Sequence, residues 1–139
     1  MSEKRMLTGV LIDPENNIAE VRTIEDTLDN LYEMLHCDLI DIVERDVDGR
    51  RMSFICDDEG ALKNDPYPSA LSPRNSQGYH VMLVGALFIV APGTDDEGNN
   101  LSLNEDDQKY VLSRVRRIGA EETPDKPFHY FPALFGVSY

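Results

Sequence analysis

The first ordered pattern is an apolar run, Met6-Leu-Thr-Gly-Val-Leu-Ile-Asp13, followed by Pro14-Glu-Asn-Asn17 and a second apolar run beginning Ile18-Ala-Glu-Val-Arg22. Turn residues between two apolar runs predict a β-hairpin. Thr23-Ile-Glu-Asp26 then reads as a helix start, a hydroxyl cap with acids that complement the positive end of the helix dipole. Leu28, Leu31, Tyr32 and Leu35 recur at helical spacing and form one apolar face.

Leu39–Val47 and Arg50–Cys56 flank the dipeptide Asp48-Gly49. A two-residue Asp-Gly loop selects a type I′ turn, because both positions take positive φ. The loop fixes the register: Val47 opposite Arg50, Asp46 opposite Arg51, Val43 opposite Phe54 and Ile42 opposite Ile55. Asp46 and Arg51 are then a cross-strand ion pair, and the apolar pairs fall on both faces, which predicts a sheet covered on both sides.

Residues 57–78 are rich in proline, glycine and acids and read as loop, followed by Tyr79–Ala91, an apolar run read as one buried strand bent at Gly85. Pro92–Asn100 reads as a surface loop without structure of its own. Ser102-Leu-Asn-Glu105 has the form of a capping box, opening a helix with Val111, Val115 and Ile118 on one face that stops at Gly119. The tail carries Phe128, Tyr130, Phe131, Phe135 and Tyr139, five of the 11 aromatics, at neither strand nor helix spacing. Such a segment is too apolar to stay solvated, and Pro124, Pro127 and Pro132 favour extended chain.

These elements predict an α+β fold: a single domain with a mixed or antiparallel sheet of about five strands and two helices. The domain is expected over residues 1–123, with 124–139 docked on it or on a second subunit, so that the protein is a monomer or a homodimer. The apolar run Val81–Pro92 is too short to span a bilayer and no signal-like stretch follows Met1, which predicts a cytoplasmic protein with no membrane association. Two cysteines, Cys37 and Cys56, make no disulfide framework and read as small buried apolar residues.

Charge changes the picture more than size does. The net charge is −13 over 139 residues, and residues 1–60 hold 16 acids against 6 bases, a local balance of −10. So acidic a surface repels nucleic acid and anionic membrane, excludes direct nucleic-acid binding, and suits a basic partner protein. With 4 Lys against 9 Arg, a salt-adapted or compositionally biased host explains the acidity equally well.

The succession Val10-Leu-Ile-Asp-Pro14, a capped Leu-rich helix, a hairpin ending Phe54-Ile-Cys-Asp-Asp-Glu-Gly-Ala-Leu62, a loop with Pro68, Arg74 and Asn75, and Val84-Gly-Ala-Leu-Phe-Ile-Val90 resembles the family known as domain of unknown function 3846. The resemblance covers roughly residues 7–115. It differs from the family pattern in the order Arg74-Asn75 and in Cys37-Asp38, where a glycine often closes the first helix. The resemblance implies a gene of bacteria, phages or mobile elements, and with that a place in accessory DNA, where small acidic proteins that blunt host defences are common. It implies no catalytic mechanism.

No catalytic or metal signature stands out, and none is assigned. Asp57, Asp58 and Glu59 are consecutive, so their carboxylates diverge, as a strand-end loop explains. Asp95, Asp96, Glu97 and Asn99 lack the ligand order of a calcium loop. His36, Cys37, Cys56 and His80 match no zinc module, and acidic surroundings oppose a thiolate nucleophile. No phosphate-cradling glycine loop and no cofactor motif is present, so no cofactor is expected.

Two function classes follow. In the first, Glu25, Asp29 and Glu33 form a helical stripe rising about 6 Å per step, joined by Asp41 and Glu44 of the hairpin, and engage a basic protein surface. Its strongest form is a DNA mimic occupying the phosphate-binding groove of a host-defence protein. In the second, the 57–79 loop carries a small-ligand or enzyme site with Asp57, Arg74 and Asn75 as its polar groups.

Overall fold

The computed structural model describes residues 5–57, 68–74, 80–120 and 129–138. The first hairpin pairs β1 (Met6–Asp13) with β2 (Ile18–Glu25), from Met6 opposite Glu25 to Asp13 opposite Ile18. Helix α1 (Leu28–Leu35) follows, then a hairpin of β3 (Ile40–Val47) and β4 (Arg50–Asp57). Its register is the one the Asp-Gly loop dictates, with φ of 46° at Asp48 and 92° at Gly49.

Strand β5 (Pro68–Arg74) lies in the segment read as loop, and β6 (His80–Val84) and β7 (Leu87–Thr94) divide the run read as one strand. Gly85, at φ 88°, is where they part, so the glycine separates strands of two sheets rather than bending one. Short β8 (Asn100–Leu101) precedes helix α2 (Glu105–Ser113). That helix ends five residues earlier than the apolar spacing predicts, at Arg114, and Val115–Ala120 form strand β9. In the tail, β10 (His129–Leu134) and β11 (Val137–Ser138) are extended, as its prolines favour.

The larger sheet runs β11-β3-β4-β7-β1-β2, with β8 beside β7, and every pairing is antiparallel. The smaller runs β6-β5-β10-β9, with β5 and β10 parallel. This is the α+β class with a single small domain, and the five long strands of the main sheet form its frame.

Strand β7 decides where the core sits. Ile89 pairs with both Val10 and Phe54, and Phe88 with both Leu11 and Ile55, so adjacent residues build rows on opposite faces. On one face Val10, Phe54 and Ile89 pack with Leu103 and Val111 near and on α2, Leu134 of β10 and Val137 of β11. On the other, Leu7, Leu11, Ile55 and Phe88 pack under Leu31 and Leu35 of α1. Each side chain buried this way contributes about 1.5–3 kcal/mol, so a sheet covered on both faces outweighs a helix of eight residues in holding the fold.

The helix caps correct two sequence expectations. Thr27, not Thr23, caps α1, accepting from the Asn30 amide at 3.2 Å, because β2 continues to Glu25. Asn104, not Ser102, caps α2, accepting from the Asp107 amide at 2.8 Å. Ser102 instead accepts from the Thr8 amide through Oγ at 2.9 Å and ties the segment to β1. The Pro92–Asn100 segment is also structured: β7 continues to Thr94, and the Asp95 side chain accepts from the amides of Glu97 and Asn99, both at 2.9 Å.

Candidate functional site

A cleft of about 460 Å³ lies between α1 and β2. Its walls are Leu11, Ile18, Ile24 and Met34, and its polar lining includes Asp13, Asn16, Arg22, Glu25, Asn30, Glu33 and His36. The sequence puts them there by strand and helix period. Ile18, Arg22 and Ile24 alternate onto the α1 side of β2, and Asn30, Glu33 and Met34 occupy the flank of a helix whose Leu31 and Leu35 point into the core.

At one end Asp13, with a side chain 3% exposed, is the best-buried acid of the site. It closes β1, and Asp13-Pro14-Glu15-Asn16 folds into a turn in which the Asn16 amide reaches Asp13 Oδ1 at 3.3 Å and Asn16 Nδ2 donates to Oδ2 at 2.8 Å. His36 Nε2 lies 3.1 Å from the same Oδ2, and a proton on Nε2 donates to it. His36 can do this because it ends α1 in the left-handed region, φ 55° and ψ 46°, where a glycine is the usual occupant. A non-glycine residue there costs about 1 kcal/mol or more, so the ring is held at the carboxylate against a backbone preference.

On the other side of His36 a smaller cavity of about 70 Å³ is lined by Asp13, Glu15, His36, Asp57 and the chain at Gly85–Ala86. Asp57 therefore lines the same cavity as Asp13 and His36. Arg74 ends β5 in the second sheet, paired in register with His80, and Asn75 lies outside the described residues. The acids expected to bind a partner divide in the same way. Glu25 ends β2 rather than lying on the helix, so the helical stripe is Asp29 and Glu33 alone. Glu25 and Glu33 line the cleft, and Asp29 is exposed on the helix beyond it. Asp41 and Glu44 are exposed on β3 but, three residues apart in a strand, lie on opposite faces. Glu44 shares Arg51 with Asp46, at 3.6 and 3.3 Å. Among the described residues, Glu25, Asp29, Glu33 and Asp41 have no ion pair, whereas Arg22 is held by Glu20 at 2.6 Å.

The sequence reading missed the Asp13–Asn16–His36 group. Its signals are a histidine where a helix-closing glycine belongs and an Asp-Pro-x-Asn turn after a buried strand. Cys37 and Cys56 are both buried, in the clusters on opposite faces of the sheet. Among the described residues no three His, Cys, Asp or Glu side chains are placed to hold a metal ion, and no helix is long and apolar enough to cross a membrane.

An α+β domain with a two-faced antiparallel sheet and an acid-lined cleft beside its first hairpin is the class these features define. The chain belongs to the family described as Domain of unknown function (DUF3846), whose model matches residues 7–116. Neither a curated protein nor a solved structure matches it.

Proposed function

We propose that the protein is an interaction module that receives a basic partner protein on the α1 face, with a lysine or arginine side chain of the partner entering the cleft. The observation that supports this reading is the division of the cleft into apolar walls, Leu11, Ile24 and Met34, and acceptors, the carboxylates of Glu25 and Glu33 and Oδ1 of Asn30, with the one arginine of the lining, Arg22, paired to Glu20. A long basic side chain has the matching division, an apolar stem and a cationic head. Asp29 and Asp41 add unpaired negative charge outside it. In the strongest form of the proposal the partner is a cytoplasmic DNA-binding protein of the host's defence, and this chain, from a phage or mobile element, competes with DNA for its basic groove. Asp29 and Glu33, one helical step of about 6 Å apart, support that form.

Titration with an arginine-rich peptide at low and at physiological salt tests the reading. Binding is expected to weaken steeply with salt and to fall at least about tenfold in the Glu25→Lys/Glu33→Lys variant, a loss of about 1.4 kcal/mol. Binding that salt leaves unchanged, or that the variant retains, overturns it.

A second reading, a small-ligand site, rests on Asp57, Asp13 and His36 lining one small cavity. A ligand there, unlike a basic partner, would be displaced by Asp57→Ala and indifferent to Glu25 and Glu33.

A further inference from the structure

Strand β2 is the last strand of the larger sheet, and among the described residues no strand pairs with its outer edge. It is eight residues long and contains no proline, and its central Val21 is 40% exposed. Natural sheets shorten, charge or cover such an edge, because its unpaired amides and carbonyls are a template for another strand.

The hydrogen-bonding phase of that edge can be read directly. The Asp26 amide donates to the Arg5 carbonyl at 2.8 Å, one step beyond the Met6–Glu25 pair, so even-numbered residues of β2 exchange hydrogen bonds with β1. Odd-numbered residues then direct their amides and carbonyls outward. The Glu25 carbonyl agrees, accepting from the Asn30 side chain and the Thr27 amide, both at 2.9 Å. Ala19, Val21 and Thr23 remain as the outward-facing set.

We infer that β2 pairs antiparallel with β2 of a second copy, about a two-fold axis at Val21. The sequence Ile18-Ala-Glu-Val-Arg-Thr-Ile24 is self-complementary in that register. Val21 meets Val21 of the copy in a hydrogen-bonded pair, and Ala19 meets Thr23, also hydrogen-bonded. Glu20 meets Arg22 in both directions, at non-hydrogen-bonded positions where opposed side chains come closest. Ile18 meets Ile24. The Glu20–Arg22 ion pair within each chain, with side chains 51% and 40% exposed, is thereby exchanged for two pairs between chains. An isologous interface requires this matching of a surface with itself. A shift by one residue sets Glu20 against Val21 in one direction or Thr23 in the other and loses both ion pairs. Because the two-fold axis of an antiparallel pair stands perpendicular to the sheet, the α1 faces of both copies lie on one side, and the two clefts become neighbours.

Sedimentation of the full chain at about 100 μM, in 0.15 M salt where exposed charges interact over about 8 Å, tests this. The protein is expected to sediment as a dimer, Glu20→Arg as a monomer that still unfolds in one cooperative transition, and the double exchange Glu20→Arg/Arg22→Glu again as a dimer. Val21→Lys, which sets like charges on the axis, is expected to be monomeric. A monomeric wild type, a dimer that survives Glu20→Arg, or a double exchange that stays monomeric overturns the inference.

Discussion

The hydroxyl of Tyr110 donates to the main-chain carbonyl of Asp48 across 2.6 Å, fastening helix α2 to the turn of the second hairpin. The same ring is in contact with two guanidinium groups, Arg50 at 3.8 Å and Arg114 at 4.8 Å from its centre. Arg50 continues to Asp106 and Asp107, both at 2.9 Å, and Arg114 to Asp48 at 2.8 Å. Tyr110→Phe is expected to cost about 0.5–1.5 kcal/mol, the net worth of one hydrogen bond. Tyr110→Ala also removes the ring from both cations and is expected to cost about 2–3 kcal/mol. Urea unfolding of the two variants measures both; equal costs would show that the ring contributes nothing beyond its hydroxyl.

Gly9 sits where β1 passes β7, and a Cβ there would collide with the Ile89 carbonyl while pressing Val90 Cγ1 at 3.0 Å and Phe88 Cζ at 3.1 Å. The carbonyl belongs to the central strand and has no rotamer to adopt. Gly9→Ala is therefore expected to destabilise by about 3 kcal/mol, the upper range for overpacking a core. A melting temperature equal to that of the wild type would show that the strands separate at little cost.

His36 combines a left-handed backbone with a side chain on a buried carboxylate. His36→Gly removes the ring and relieves the backbone, whereas His36→Ala removes the ring and keeps the strain. The alanine variant is expected to be less stable than the glycine variant by about 1 kcal/mol. Asp13→Ala, which strips Asn16 and His36 of their shared acceptor, is expected to cost about 1–3 kcal/mol. Chemical denaturation of the three ranks them, and a glycine variant less stable than alanine contradicts the strain.

Asp95 is held below the usual carboxylate range, first by the Asn99 amide, then by the Asn99 side chain, the Glu97 amide and the charge of Arg5, against a smaller opposing effect of burial. A carboxylate depressed in the folded chain stabilises it above the unfolded value and loses that contribution as pH falls through the folded one. The amide signals of Glu97 and Asn99 are therefore expected to titrate together with a midpoint below 3.8, the ordinary aspartate value. A midpoint at or above it would show that the turn does not hold the charge.

How far the sequence carried depends on how local the deciding interaction was. Asp48-Gly49 determines its turn by φ alone, so the eight pairs of β3 and β4 follow from two residues. The end of α2 does not. Val111, Val115 and Ile118 have helical spacing, yet Val115 and Ile118 belong to β9, because Leu134 and Phe131 of the tail stand opposite them. Partners 13 and 19 residues further on outweigh helix propensity worth tenths of a kcal/mol. Gly85 similarly marks an interruption in any reading, but only the pairing of β5 with β6 shows that the chain changes sheets there. Of the site, Glu25 and Glu33 were legible as acids, and Asp13 and His36 were not. Their pairing spans 23 residues and depends on where β1 and α1 each end.

The position of β7 between β1 and β4 also sets an order in time. Residues 6–57 contain both long hairpins and α1, whose contacts within each unit are local and form in microseconds. The strand that joins the hairpins begins at Leu87. Until it arrives, Val10 and Leu11 on one side and Phe54 and Ile55 on the other expose edges that only β7 closes. Chain emerging at about 5–20 residues per second leaves those edges open for seconds, so the interval before Leu87 is when the growing chain is most exposed to wrong pairing. A charge balance of −10 over the first sixty residues keeps neighbouring nascent chains apart during that interval.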